Sequence, residues 1–271
     1  MKENKMKLGL MKLEVGQGTP ANEMRDLGFD AVQLHFSPNQ KDDAADPTDD
    51  EIKASLNPGN IALAAMTVHI DLVNSRGLVQ ADVDRMVRLV SRTAALKPLI
   101  GDNPRPILVW HPSGYPEAAD IDDVAVFKGL VTALRTICTA AEKSGVDFAV
   151  ELTRAGSDRG VQGFLRLKDH VASPALRVCF DAANVIIPDR IPFVQSLRML
   201  AADIVIAHGK DCHFNPDGTV AKFGPTGSGK LDYATYIACL KDTCDIPYFI
   251  LEYFRTQEEM LRGRDIVRQY L

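Results

Sequence analysis

Cysteine is scarce and tryptophan nearly absent: 271 residues include five Cys and one Trp, and aromatics make up 7% of the chain. The five thiols, Cys138, Cys179, Cys212, Cys239 and Cys244, are odd in number and lack any CxxC spacing. A disulfide framework and a thiolate zinc site are therefore excluded as organising features, and a reducing compartment, the cytoplasm, is the expectation. Positive charge is also in deficit, with 31 Lys and Arg against 36 Asp and Glu and a formal net charge of −5. Such a balance argues against a surface built to neutralise nucleic-acid phosphates and for a small-molecule partner. No apolar run approaches membrane-spanning length, so no membrane partner is expected. The stretch in MKENKMKLGLMKLEVG is broken by Lys7 and Lys12 before it would serve as an export signal.

What is present is regular alternation. Runs rich in Val, Ile, Leu and Phe recur at 7–13, 29–36, 61–70, 106–111, 146–152, 176–181, 203–208 and 247–253. Between them lie segments with helical spacing, such as 80–96 with Val83, Met86, Val87 and Val90, 122–143 with Val126, Leu130, Leu134 and Ile137, and a last helix at 257–270. Strand and helix in turn imply parallel strands with crossover helices. Eight repeats fit an α/β fold of the (β/α)8 TIM-barrel type, one domain over 1–271, better than an open sheet. No linker divides the chain, and barrels commonly reach this length as one unit.

Four of these runs end on a metal-binding side chain: Glu151, Asp181, His208 and Glu252. In a barrel the active site lies at the C-terminal strand ends, where loops converge. Period-two alternation puts Ala149 with Glu151, Cys179 with Asp181 and Ile206 with His208 on one face. Three carboxylates and an imidazole at equivalent positions would then meet around one divalent cation. Carboxylate-rich ligation suits manganese, cobalt or magnesium, with zinc second. A cation chelating a carbonyl and the neighbouring hydroxyl would favour an enediolate, and Glu151 and Glu252 would remove and return the proton. The alternative is that strand-end carboxylates cap loops or pair with Arg154 and Arg255.

His69 and His111 end the third and fourth runs and should face the same mouth as substrate-binding groups, with metal ligation the lesser alternative. His35 shares a face with Gln33 and is placed at the pocket wall, whereas His170 falls on a helix and His213 on a loop. The six carboxylates of 42–51 read as a solvated loop leading into a helix that starts at Pro47-Thr48-Asp49-Asp50. The segment GPTGSGK, 224–230, imitates a phosphate-binding loop, but Leu231 stands where that motif needs Ser or Thr. The stretch before it reads as a hairpin turning at Pro216-Asp217-Gly218.

GFDAVQL at 28–34, the strand-end Glu151, FDAAN at 180–184, His208-Gly209-Lys210-Asp211 with its HxKD pattern, and GSGKLDY at 227–233 together resemble the xylose-isomerase-like TIM barrels. That superfamily holds sugar isomerases and epimerases and relatives of AP endonucleases, and the resemblance runs over nearly the whole chain. It implies one metal held by Glu151, Asp181, His208 and Glu252, with the two glutamates as the proton-transfer pair of an isomerase or epimerase acting on a sugar, keto-sugar or polyol. An inosose-dehydratase-like lyase using the same site, and a non-catalytic sugar- or metal-binding barrel, are the alternatives. Asn184 stands where the family often has a metal-binding histidine, which argues against a second metal and endonuclease chemistry and leaves Asn184 a substrate hydrogen-bonder. The arginine that often follows the seventh-strand histidine is missing, and Lys210 or Lys230 would take its place on substrate. Family relatives often form homo-oligomers, and dimers or tetramers are compatible with this chain.

Overall fold

The structure is a computed structural model that describes residues 6–12, 21–36, 46–74, 77–112, 124–152, 160–186 and 192–271. Eight parallel strands close into a barrel: β1 (Lys7–Lys12), β2 (Ala31–His35), β3 (Ala62–His69), β4 (Ile107–His111), β5 (Asp147–Glu151), β6 (Leu176–Asp181), β7 (Ile204–Gly209) and β8 (Tyr248–Leu251). Each strand pairs with its successor, and β8 returns to β1 through Leu10 beside Leu251. The helices that cover the strands are α1 (Ala21–Asp26), α2 (Asp49–Leu56), α3 (Gln80–Ala95), α4 (Val124–Ser144), α5 (Gly160–Val171), α6 (Phe193–Leu200), α7 (Tyr233–Thr243) and α8 (Gln257–Arg268).

Two layers of apolar side chains follow from the alternation of each strand. Outward residues such as Leu34, Met66, Trp110, Phe148, Phe180 and Phe249 are fully buried between sheet and helices. Trp110 meets its polar requirement there by donating from Nε1 to the Ile70 carbonyl at 2.8 Å. The bore is filled by a separate, smaller set: Ala31, Ala64, Ala65, Val109, Ala149, Cys179, Ile206 and Ile250. Gly9 belongs to this layer, because a Cβ there would lie 2.4 Å from Ile250 Cδ1.

One irregularity sets the phase of the site. Val178 pairs with Ile204 but Cys179 pairs with Ile206, so Val205 is an extra residue in β7. The shift brings Asp181 opposite His208. A regular ladder would have set Asp181 against Ala207, whose side chain is on the other face.

Caps and turns match local chemistry. Thr48 caps α2 in a reciprocal box with Glu51. After β7 an antiparallel hairpin, Asp211–Phe214 with Val220–Gly224, turns where Asp217 Oδ1 accepts from the Thr219 amide at 2.9 Å and Gly218 takes φ +84°. His213 therefore lies on a hairpin strand rather than in a loop, and its Nε2 is 3.3 Å from Ser228 Oγ. A second small pair, Val73–Asn74 with Gly77–Leu78, follows β3. Helix α4 departs from the expectation that no run reaches membrane length, since its 21 residues are long and apolar enough to cross one. In this fold its face of Leu130, Leu134 and Ile137 is buried in the core, and it packs along α3 and α5.

Candidate metal and active centre

Glu151 and Asp181 are the last residues of β5 and β6, and His208 is the last inward residue of β7. Glu252 follows β8 and continues its ladder, its amide donating to the Gly209 carbonyl at 3.1 Å. Each of the four side chains offers one ligand atom, and these atoms all lie within 4.8 Å of one another. Asp181 and His208 are fully buried, Glu151 is 4% exposed and the Glu252 side chain 13%. The structure thus brings together all four strand-end donors named from the sequence.

The imidazole shows what the cluster lacks. His208 Nε2 lies 3.0 Å from Gln33 Oε1 and 3.2 Å from Cys179 Sγ. His208 Nδ1 has no hydrogen-bond partner, yet it faces Glu151 Oε1 at 3.8 Å and Glu252 Oε2 at 3.7 Å. A ring nitrogen aimed between two carboxylates calls for a positive charge among them, a proton on the imidazole or a bound cation. Donors spaced 3.7–3.8 Å apart fit neighbouring ligands of one ion at metal–oxygen and metal–nitrogen distances of about 2.0–2.2 Å. The residues therefore fit a divalent cation.

Charge makes the same point. Lys210, between β7 and the hairpin, is buried with its Nζ 2.6 Å from Asp181 Oδ2 and 3.1 Å from Glu252 Oε1. With His208 counted neutral, as a metal ligand is, three carboxylates against one ammonium leave a formal charge of −2, which a divalent ion would cancel. Burial raises the Asp181 carboxyl to about 6, against the pull of Lys210 and with the help of Glu252 and Glu151. Burial also opposes ionisation of Glu151, but His111, His208 and Lys210 outweigh it and hold that carboxyl well below its usual range. For His208 and Lys210 burial favours the neutral form. Cys179, Glu151 and Glu252 reverse this for the imidazole and Asp181, Glu252 and Glu151 for the ammonium, so both are raised.

The other named residues occupy the rest of the mouth. Asn184, on the short helix Ala182–Val185 capped by Asp181, donates to Glu151 Oε1 at 3.3 Å. His35, His69 and His111 line β2, β3 and β4, with ring centroids 5.4 Å apart for the first pair and 4.4 Å for the stacked second. Burial and then the neighbouring His111 and His35 push His69 down to about 4. Among the described residues no metal-holding group includes these three. Lys210 touches the carboxylates and, at 4.8 Å, the ring of Phe223, so its partners here are the cluster itself. The ion-pair partners of Glu151 and Glu252 among the described residues are His208 and Lys210, while Arg154 lies outside the described residues.

Sequence reasoning did not single out several supports of the site. Gln33 and Cys179 sit one inward position below the mouth, a place that strand alternation alone marks. Tyr236 donates its hydroxyl toward the carbonyls of Phe180 and His208, both at 3.1 Å, tying β6 to β7 beside the ligands. Tyr253, directly after Glu252, is held at φ +69°, a backbone region that non-glycine residues seldom adopt outside constrained sites. The loop that imitates a phosphate site already cradles an anion of its own. The Asp211 carboxylate accepts from the amides of Cys212 and Leu231 at 3.0 Å and of Gly227 at 3.1 Å. Gly229 is needed there, because a Cβ would lie 2.3 Å from Asp211 Oδ1.

A closed (β/α)8 barrel with a carboxylate and imidazole cluster at the C-terminal ends of its strands defines the class. The chain belongs to the xylose isomerase-like TIM barrel family, whose sequence model matches residues 21–270. Similar solved structures carry the same fold at low identity. A D-psicose 3-epimerase with D-tagatose from Clostridium cellulolyticum H10 is 15% identical, with TM-score 0.69 over 98% of this chain and 99% of that one. A mannonate dehydratase from Streptococcus suis serotype 2 is 11% identical, with TM-score 0.74 over 98% and 92%. A xylose isomerase-like TIM barrel protein from Mycobacterium smegmatis in complex with magnesium is 15% identical, with TM-score 0.70 over 100% and 98%. Among curated protein sequences nothing matches the chain.

Proposed function

We propose that the protein is a divalent-metal-dependent isomerase or epimerase of a sugar, keto-sugar or related polyol, with Glu151, Asp181, His208 and Glu252 holding the ion. The observation that carries this reading is the unpartnered His208 Nδ1 between two carboxylates in a cluster of formal charge −2. When bound, the ion would supply Lewis acidity that favours negative charge on adjacent substrate oxygens. Manganese, cobalt or magnesium suits the oxygen-rich donor set better than zinc.

The protein's own groups divide the remaining work. Glu151, held well below the usual carboxylate range, is ionised at neutral pH and takes a proton from the carbon beside a substrate carbonyl. An enediolate results, and Glu252, across the cluster, passes it a proton drawn from solvent while Glu151 releases its own to solvent. Asn184 fixes the Glu151 carboxylate through its 3.3 Å hydrogen bond. Lys210 holds Asp181 and Glu252 in place by charge. His69, neutral over most of the pH range, and His111 beside it offer ring nitrogens to substrate hydroxyls, with His35 behind them. The D-psicose 3-epimerase with D-tagatose among the structural neighbours supports a sugar as substrate class.

The test is proton NMR of a panel of ketoses and inososes in D2O with manganese-loaded protein. Loss of the carbon-bound proton signal next to the carbonyl, abolished by Glu151→Gln, supports the proposal. A product lighter by one water replaces it with the lyase reading, which the mannonate dehydratase neighbour keeps in view. A bound metal with no exchange and no product across the panel makes the barrel a binding protein.

A further inference from the structure

A glutamine side chain buried in a barrel bore calls for an explanation. Gln33 is 0% exposed, and burying an amide is unfavourable unless both its ends are hydrogen-bonded. Both ends are: Gln33 Nε2 donates to Thr67 Oγ1 at 2.6 Å, and Gln33 Oε1 lies 3.0 Å from His208 Nε2. The line Thr67, Gln33, His208 crosses the bore from β3 through β2 to β7, with every member no more than 1% exposed.

Direction follows from donor chemistry. With Nε2 of the amide on Thr67, its oxygen, which only accepts, meets the imidazole. His208 Nε2 must then carry a hydrogen, so the nitrogen left to offer a cation is Nδ1, the atom between Glu151 and Glu252. Cys179 competes for the same nitrogen from 3.2 Å. Its thiol S–H is a weak donor. Without Gln33 that S–H would bond to Nε2 and move the ring hydrogen to Nδ1, where it blocks a metal.

We infer that Gln33 is a positioning residue, oriented by Thr67, which fixes His208 with Nε2–H buried and Nδ1 presented to a divalent cation. This rests on the metal site proposed above and adds to it the group that selects the tautomer. Outer partners of ligating histidines are known to set metal affinity in this way, at about 10–100-fold per partner.

The experiment is calorimetric titration of Mn2+ into chelator-treated wild type, Gln33→Met, Gln33→Glu and Thr67→Val, with melting temperatures of the metal-free proteins alongside. Gln33→Met keeps the volume and removes the acceptor; we expect it to weaken Mn2+ binding about 10–100-fold while the metal-free protein melts as wild type does. Gln33→Glu restores an acceptor that Thr67 can donate to, and should bind within about threefold of wild type. Thr67→Val releases the amide and should give an intermediate loss, which carries the test if Gln33→Met does not fold. Wild-type affinity in Gln33→Met overturns the inference, as does Gln33→Glu binding no better than Gln33→Met. A wild type that binds no Mn2+ at all overturns the metal site and this inference together, a pattern distinct from the other two.

Discussion

Replacing Lys210 with methionine keeps the length of the side chain and deletes the one ammonium of the cluster. The ammonium lies 2.6 Å from Asp181 Oδ2 and 3.1 Å from Glu252 Oε1, and the lysine side chain is only 7% exposed. Removing one partner of a buried ion pair costs about 3–5 kcal/mol, because the other charge is left uncompensated. Asp181 can limit the damage. Its carboxyl, already at about 6 through burial despite Lys210, takes up a proton once the ammonium is gone. We therefore expect the lower end, about 3 kcal/mol, which for a barrel of this size is a fall of about 6–9 °C in melting temperature. The assay is thermal unfolding of wild type and Lys210→Met, each in EDTA and in excess Mn2+. The variant should fall in EDTA and recover more than wild type gains when Mn2+ is added, because the ion then neutralises charge that nothing else does. A Lys210→Met protein that melts in EDTA within about 2 °C of wild type refutes the charge argument.

Asp211→Ala orphans the amides of Cys212, Gly227 and Leu231, which meet on one carboxylate. Urea unfolding should show a loss of about 3 kcal/mol, at roughly 1 kcal/mol for each lost bond, and an unchanged midpoint would deny that the carboxylate organises the loop. His69 is charged more easily in the unfolded chain than in the fold, where it is lowered to about 4 from an ordinary value of 6.5. Between those values the unfolded chain binds the extra proton, so stability falls as pH drops from 6.5 toward 4. His69→Gln in metal-free protein should remove up to about 3 kcal/mol of that acid limb, read as urea midpoints at several pH values; parallel limbs would contradict it.

The eight strands were legible in the sequence because each is a short apolar run bounded by polar or Gly/Pro residues and separated from the next by helical spacing. Strands β3 and β4 begin one residue inside the expected runs, and β8 ends two residues short of its run at Leu251. The convergence of the four strand-end donors was legible for a further reason: they sit at the last inward position of each strand, which period-two alternation identifies. The bulge at Val205 was not, since an extra residue in one strand is defined only against its neighbour. Sequence order places Lys210 after His208, where a substrate contact is expected, without showing that it folds back onto Asp181 and Glu252. Gln33 carries no signal in its own strand that a histidine 175 positions away needs an acceptor. His213 reads as a loop residue, because the turn at Asp217 and Gly218 is conspicuous and the short strands flanking it are buried only in part. The glycines of 224–230 imitate a phosphate loop, and one of their amides, that of Gly227, does hold an anion, the Asp211 carboxylate, together with the amides of Cys212 and Leu231.

The central claim is that four side chains from β5 through β8 converge on a single divalent ion. Metal content of the purified protein, followed by Mn2+ titration after chelator treatment, measures this directly. One ion per chain, with binding lost in both Asp181→Ala and His208→Ala, is the predicted result. A wild-type protein that neither retains nor takes up a divalent ion, or variants that bind it undiminished, would contradict the account.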